Sequence, residues 1–237
     1  MTRVRFAVVV ALLLIVSGCS SSPPVRDVPA SLVAVLGSNA PGDDLSASSF
    51  CAGVLTAPDI VTTAAHCLAD RDPERIDVQV SADNVCAGSE VGGERLHVIE
   101  VRTDPVLDLA ELVLESPAQS SPAQSSPAQS SPAKGASGEA SSLTAWGWGT
   151  GSIGGASPCE AAPKSLVEVT SGECAVSEPA RYGDFLCVVP VEGGPNTCAG
   201  DSGGPVFDQR GRLVAITVAG IGCGPDDPGI YLRLPLS

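Results

Sequence analysis

Three short segments of the chain carry the residue types of nucleophilic catalysis, in the order His, Asp, Ser. His66 lies in Thr-Ala-Ala-His-Cys, Asp108 opens an apolar stretch, and Ser202 lies in Gly-Asp-Ser-Gly-Gly-Pro. A serine becomes a nucleophile when a base takes its proton, and that base needs a buried carboxylate to fix its tautomer and stabilise its cation. Glycines beside the serine let backbone amides point at a developing oxyanion. Together the three segments predict a site for nucleophilic catalysis.

Two further residues compete for roles in this site. Asp104 is the alternative carboxylate, but it precedes Pro105 and so favours the start of a turn, whereas Asp108 runs directly into the apolar strand. His97 is interpreted as a partly exposed strand residue and not as a ligand. No Cys or His spacing is typical of a metal site, so we expect neither a metal nor a cofactor.

The composition indicates which elements position these residues. The 237 residues include 26 Gly and 20 Pro but only 3% aromatics, which is typical of a turn-rich, all-β chain. The formal net charge of −14, without any Lys/Arg block, argues against nucleic acid as a partner. Short apolar or alternating runs separated by turn signals predict a sandwich or a barrel. These runs are residues 31–36, 75–80, 96–101, 109–114, 166–169, 185–189, 213–218 and 230–234.

The N-terminus predicts export and lipid attachment. Residues 1–18 contain arginines, an apolar run and small residues, the layout of a signal peptide too short to act as a stop-transfer helix. Val-Ser-Gly-Cys, ending at Cys19, resembles the lipobox of bacterial lipoproteins; the alternative is an ordinary cleaved signal followed by an incidental Cys. Lipidation of Cys19 leaves an even number of cysteines, with residues 19–29 as a tether. We expect an exported protein, lipid-anchored to the outer membrane or cell surface of a bacterium and facing away from the cytoplasm.

A low-complexity segment, residues 116–142, separates two halves of the body, residues 30–115 and 143–237. The segment repeats Ser-Pro-Ala-Gln-Ser three times and has no aromatic residue. Such a composition cannot bury enough area to offset its ordering entropy. It therefore predicts an extended and mobile linker.

The chain resembles the chymotrypsin/trypsin-like serine proteases over roughly residues 30–234. Besides the three segments above, Phe-Cys-Ala-Gly-Val-Leu at residues 50–55, Gly-Trp-Gly at residues 147–149 and Pro-Gly-Ile-Tyr at residues 228–231 resemble motifs of that family. The resemblance implies two six-stranded antiparallel β-barrels with the active site in the cleft between them. It also implies a protein or peptide substrate, and we expect a monomer.

The resemblance implies a role for each site residue. Ser202 is the nucleophile, His66 the general base and then acid, and Asp108 the orienting carboxylate, while the backbone amides of Gly200 and Ser202 form the oxyanion hole. It also implies three disulfides, and exclusion leaves a fourth, although the residues alone allow many pairings. The four pairs are Cys51–Cys67, Cys174–Cys187, Cys198–Cys223 and Cys86–Cys159.

The primary specificity pocket departs from the family pattern. Asn196 stands where trypsin has the Asp that pairs with Lys or Arg, and a neutral amide cannot supply that charge. Thr217 belongs to the substrate-binding strand, Ala219 narrows the pocket entrance and Gly229 leaves its back wall open. We expect a small-to-medium uncharged side chain at the cleavage site, with a residual basic preference left open by the acids at residues 226–227.

Two further departures concern activation and the C-terminus. Family zymogens are cut to free an N-terminal ammonium that pairs with the Asp preceding the nucleophile, here Asp201. No Ile-Val-Gly-Gly stands between Cys19 and Arg26, so Asp201 needs another donor or stays solvated with the oxyanion hole disordered. The sequence stops soon after Tyr231, so the family's C-terminal helix is expected to be missing. A catalytically inactive lipoprotein that uses the fold as a binding or scaffold module is therefore the alternative to a membrane-anchored serine endopeptidase.

Overall fold

The computed structural model describes residues 28–38, 49–69, 71–86, 92–125, 142–150, 158–174 and 179–234. The predicted signal peptide, Cys19 and residues 126–141 of the predicted linker lie outside the described residues. The strands within them are β1 Leu32–Gly37, β2 Ser49–Ala57, β3 Ile60–Thr63, β4 Ile76–Val80, β5 Glu94–Thr103, β6 Ala110–Leu114, β7 Ser142–Gly147, β8 Ala162–Glu168, β9 Phe185–Pro190, β10 Pro205–Asp208, β11 Leu213–Gly220 and β12 Gly229–Arg233.

These strands close into two antiparallel barrels of six strands each, which confirms the predicted fold. Around the first barrel the order is β1-β2-β3-β6-β5-β4, and around the second it is β10-β11-β12-β9-β8-β7. Closure leaves neither sheet with an open edge, because every strand pairs on both sides with strands of its own barrel.

Helices are short in the described part of the chain. They are the α-helix α1 Pro179–Tyr182 and the 3-10 helices Ala65–Leu68, Pro73–Arg75 and Ser171–Glu173. None of them is long and apolar enough to span a bilayer. No helix follows β12 up to Leu234, where the described residues end.

Alternating apolar residues build the barrel interiors, because successive side chains of a strand point to opposite faces. In β4, Ile76 and Val78 are buried, and in β6 Leu112 is buried while Glu111 is exposed. The runs found in the sequence did not include four of the strands, β2, β3, β7 and β10. Of these, β3 and β10 have only four residues each and show no alternation.

The first part of the predicted linker packs against both barrels, which differs from the expectation of a mobile segment. The amide of Ala123 donates to the Leu55 carbonyl of β2 at 2.8 Å, and the amide of Leu213 in β11 donates to the Gln124 carbonyl at 2.8 Å. Ala118 and Ala123 also pack against the hydrophobic core. Small alanines and backbone hydrogen bonds thus order residues 116–125 without any large apolar side chain.

Candidate active site

His66 lies in the short 3-10 helix that follows β3, and two links hold this helix to the first barrel. The Cys51–Cys67 disulfide joins the helix to β2. Just beyond the helix, Arg71 donates from Nε to the Cys67 carbonyl at 3.1 Å, and its guanidinium lies 3.5 Å above the centre of the Phe50 ring. The imidazole therefore projects from a backbone of fixed position.

Asp108 lies two residues before the start of β6, is only 3% exposed and contacts His66 twice. The His66 backbone amide donates to Oδ1 at 2.8 Å, and Nδ1 of the ring pairs with Oδ2 at 2.9 Å. Burial raises the pKa of Asp108, but the hydrogen bonds and charge of His66, with Arg181 at 3.4 Å, outweigh it and hold the pKa below its ordinary value of 3.8. An ionised Asp108 fixes the proton on Nδ1, which leaves Nε2 as the basic nitrogen.

Ser202 lies in a tight turn that contacts both barrels. Its carbonyl accepts a hydrogen bond from the Ala52 amide of β2 at 2.8 Å, and the next amide, of Gly203, donates to the Thr217 carbonyl of β11 at 2.7 Å. Gly203 has a φ of +82°, and a Cβ there would overlap the Ala52 carbonyl oxygen, so only glycine fits. These contacts fix the turn at the junction between the barrels.

The structure brings His66 and Asp108 into direct contact, and it places the Ser202 backbone beside Cys67, the residue after His66. The sulfur of Cys67 lies 3.9 Å from Nε2 of His66 and 3.8 Å from the carbonyl oxygen of Ser202. No hydrogen bond joins the Ser202 hydroxyl to His66 among the described contacts. Such bonds are often long before substrate binds and shorten in the reacting complex.

The amides predicted to bind an oxyanion are free to do so. The Ala199 carbonyl accepts from the Thr150 amide at 3.0 Å. Because the C=O and N–H of a trans peptide unit point in opposite directions, this bond turns the Gly200 N–H away from Thr150. Gly200 has a φ of +98°, which glycine adopts readily. Among the described residues, neither the Gly200 amide nor that of Ser202 has an acceptor.

Asp201 is fully buried and has a cationic partner that the sequence analysis missed. Its Oδ1 accepts from the Lys164 ammonium at 2.6 Å and from the Gly149 amide at 2.8 Å, and its Oδ2 accepts from the Cys198 amide at 3.0 Å. Lys164 is itself only 3% exposed. Of the two outcomes expected for Asp201, another donor or a solvated carboxylate, the structure shows the first, and that donor is Lys164. The signal was the spacing of two between Lys164 and the buried Leu166, which puts both on the inward face of β8.

Asp104 and His97, the two other residues considered for the site, both have structural roles. Asp104 begins a turn: its Oδ1 accepts from the amides of Val106 and Leu107, both at 2.8 Å, and these bonds lower its pKa. His97 in β5 is 38% exposed at its side chain and pairs with Asp77 of β4 at 2.8 Å.

Among the described residues, one cluster has side chains of the kinds that bind metals. It consists of Cys51, His66 and Cys67, whose potential ligand atoms lie within 4.8 Å of one another. The two sulfurs are joined in a disulfide, so neither is a thiolate that could bind a metal. The structure has the same four disulfides as those expected: Cys51–Cys67, Cys86–Cys159, Cys174–Cys187 and Cys198–Cys223.

Comparison with known proteins decides the family. The family model described as Trypsin matches residues 31–236, which cover both barrels. The chain belongs to the trypsin family of serine endopeptidases.

Individual relatives agree with this assignment. The chain is 32% identical over 192 residues to a trypsin of Saccharopolyspora erythraea, with 78% of this chain and 82% of that protein covered. It is 31% identical over 200 residues to a trypsin of Sus scrofa, covering 80% and 82%. Neuropsin, a serine protease expressed in the limbic system of mouse brain, superposes with a TM-score of 0.67 at 22% identity, over 86% of this chain and 89% of that one. That structural likeness shows the fold.

In this member of the trypsin family, the side-chain amide of Asn196 forms hydrogen bonds within the protein. Asn196 is 5% exposed, and its Nδ2 donates to the carbonyls of Gly224 and Asp227, both at 2.8 Å. Its Oδ1 accepts from the Thr197 amide at 2.8 Å. Asn196 therefore holds the loop before β12, and both of its protons are engaged there.

The other predicted pocket residues lie on β11 and β12. Thr217 is 4% exposed and its hydroxyl has no partner among the described residues, while Ala219 is partly exposed near the end of β11. Gly229 opens β12, and a Cβ there would lie 2.8 Å from the ring of Tyr231, which is fully buried. Asp227 turns its Oδ2 to the Gly224 amide at 2.7 Å, so this carboxylate is engaged with its own loop.

Replacing Asn196 by Asp should destabilise the protein, because a carboxylate would face two carbonyl oxygens in place of two donated hydrogen bonds. We expect Asn196→Asp to lower the free energy of unfolding by about 3 kcal/mol, measured by denaturant unfolding with disulfides intact. Asn84→Asp is the matched control, since the Asn84 side chain only accepts, from the Cys86 amide at 2.9 Å, and a carboxylate can do the same. Equal stability of the two variants would contradict this role of Asn196.

Proposed function

We propose that the protein cleaves peptide bonds through an acyl-enzyme on Ser202. His66 takes the hydroxyl proton on Nε2 as Oγ of Ser202 attacks the substrate carbonyl carbon, which forms a tetrahedral oxyanion. His66 then gives the proton to the leaving amine, the C–N bond breaks and the acyl group remains on Ser202. Water, deprotonated by His66, attacks the ester, and the proton returns to Ser202 as the acid product leaves.

Asp108 and two backbone amides support these steps. The ionised carboxylate 2.9 Å from Nδ1 keeps the reactive tautomer and stabilises the imidazolium that forms twice per turnover. The amides of Gly200 and Ser202 donate to the oxyanion. Each such donor contributes about 100-fold to 1,000-fold in rate in comparable sites.

The observation that carries the proposal is the combination of a histidine fixed by a buried carboxylate with amides that have no internal acceptor. The alternative is a binding or scaffold module that keeps the same residues without using them. A scaffold has no need for two neighbouring amides that are both clear of internal acceptors. An oxyanion site requires that arrangement.

A fluorophosphonate tests the nucleophile directly, because it reacts with a serine only when a base and an oxyanion site are in place. We expect intact-mass spectrometry to show one adduct on the purified protein and none on Ser202→Ala. Ser165→Ala, which changes an exposed serine of β8, should be labelled like the wild type. A folded, disulfide-intact protein that takes up no label would instead support the binding or scaffold module.

We further propose a preference for small-to-medium uncharged side chains at the cleavage site. Asn196 brings no charge to the pocket and its amide protons are engaged, so a substrate Arg or Lys would lose its hydration without gaining an ion pair. Ala219 adds a methyl group near the end of β11.

Peptide substrates that differ only at this residue test the preference. We expect kcat/KM for Ala or Val to exceed that for Arg by about tenfold or more, a difference of about 1.4 kcal/mol. The variant Asp227→Asn tests whether this carboxylate causes any residual cleavage after Arg. If it does, that cleavage should disappear in the variant. Faster cleavage after Arg than after Ala would refute the proposal.

We also propose that Cys19 carries a diacylglycerol that anchors the protein outside the cytoplasm of a bacterium. The support is the lipobox-like sequence and the even number of cysteines that remain, all eight of which form disulfides. Two or more acyl chains give stable membrane attachment, where one does not.

Metabolic labelling with an alkyne fatty acid in a bacterial host tests the anchor. The wild type should be labelled and sediment with membranes, whereas Cys19→Ala should be unlabelled and absent from the membrane fraction. Ser20→Ala, which keeps the thiol, serves as the control. Label retained by Cys19→Ala would exclude this attachment site.

A further inference from the structure

We propose that Lys164 is a positioning residue whose ammonium ion holds Asp201 inside the protein, so that the oxyanion site forms without a cleaved N-terminus. The inference rests on the proposed catalytic function. The sequence contains two lysines, Lys134 in the repeat segment and Lys164 in β8. In the described part of the chain, Lys164 is the cation that contacts the Asp201 carboxylate.

The environment of this carboxylate is closed. Asp201 has no exposed surface, and its two oxygens accept three hydrogen bonds, from Lys164, the Gly149 amide and the Cys198 amide. Side chains at Gly147 or Gly149 would overlap the carboxylate, so the backbone passes directly beside it. A buried charge of this kind must be balanced by an opposite charge at hydrogen-bond distance, and Lys164 supplies it at 2.6 Å.

The position of Lys164 has no other explanation in the barrel. Its register opposite Ala145 of β7 places it on the same face as Leu166, inside the second barrel. Its remaining hydrogen bond, of 3.1 Å, goes to the Gly147 carbonyl beside Asp201. An apolar side chain at an inward strand position would serve the core at least as well, because buried ion pairs add little net stability. The negative charge of Asp201 therefore explains why a lysine occupies this inward position.

A short path connects this ion pair to the reacting groups. Asp201 lies between Gly200 and Ser202, the two residues whose amides face the oxyanion. The oxygen that accepts from Lys164 also accepts from the Gly149 amide, and the amide after Gly149 orients the Gly200 peptide. Loss of the cation leaves an unbalanced charge that moves toward water, and that movement displaces both oxyanion amides.

The test compares Lys164→Met with Lys134→Met in the purified full-length protein. We expect Lys164→Met to lower kcat and the fluorophosphonate labelling rate about 100-fold, with KM changed by less than about threefold, while Lys134→Met behaves like the wild type. Both rates are measured well below each variant's unfolding temperature, because a merely structural lysine would change stability and leave the rate of the folded protein alone. Labelling of folded Lys164→Met at the wild-type rate would overturn the inference.

Tryptophan fluorescence gives a readout that does not depend on activity. Both tryptophans of the chain, Trp146 and Trp148, flank Gly147 beside the Asp201 carboxylate, and Trp148 is 2% exposed. Displacement of Asp201 should therefore shift the emission of folded Lys164→Met to longer wavelength. If the wild type takes up no label but the shift occurs, the proposed function fails while the role of Lys164 in holding Asp201 stands. An unchanged emission spectrum counts against that role.

A second variant tests whether a cleaved N-terminus is needed, and it leaves the ion pair intact. It keeps the inference testable if Lys164→Met does not fold. Arg26 is the basic residue that precedes Asp27-Val28 near the end of the predicted tether. We expect Arg26→Gln to be labelled at the wild-type rate, because no ammonium released by cleavage after Arg26 is needed. Loss of labelling in Arg26→Gln would show that such an N-terminus is required and would overturn the inference.

Discussion

The buried carboxylate of Asp201 is the constraint on which the geometry of the site depends. A charge without any exposed surface must be paired and fully hydrogen-bonded. This requirement accounts for the inward-facing Lys164 in β8 and for the glycines at 147 and 149, where the backbone has to pass close to the carboxylate. Ser202 follows Asp201 directly, so the position of its amide depends on this ion pair.

The remaining contacts of the Ser202 turn join the two barrels. One hydrogen bond goes to Ala52 in the first barrel and another, through Gly203, to Thr217 in the second. His66 and Asp108 both come from the first barrel, so a productive site requires the barrels to keep their relative position. The ordered start of the repeat segment adds a further connection, because its backbone bonds to Leu55 in β2 and to Leu213 in β11.

Much of the site could be predicted from the sequence, because His66, Asp108 and Ser202 lie in short motifs whose residue types define their chemistry. Lys164 could not, since a single lysine in a strand is usually a surface residue and only its spacing from Leu166 indicated the inward face. The contacts of Asn196 depend on how a distant loop folds back, which no local pattern encodes.

The repeat segment shows a different limit of composition. Its lack of large apolar residues predicted mobility, yet Ala118 and Ala123 are small enough to fit against the core while their amides bond to the first barrel. Composition measures how much area a segment can bury. It does not measure whether a neighbouring surface offers unpaired carbonyl groups, as Pro58 and Leu55 do here.

The oxyanion site is controlled differently by a lysine in a strand than by an N-terminal ammonium that proteolysis creates. An ammonium at a new N-terminus exists only after proteolysis, whereas Lys164 reaches Asp201 once β8 and the turn before β10 are in place. With Lys164 in that role, activity is coupled to folding. Two disulfides flank the reacting groups, Cys51–Cys67 beside His66 and Cys198–Cys223 near Ser202, and disulfides form and persist mainly under oxidising conditions. Completion of the site is then tied to folding and disulfide formation, with no separate proteolytic step between folding and activity.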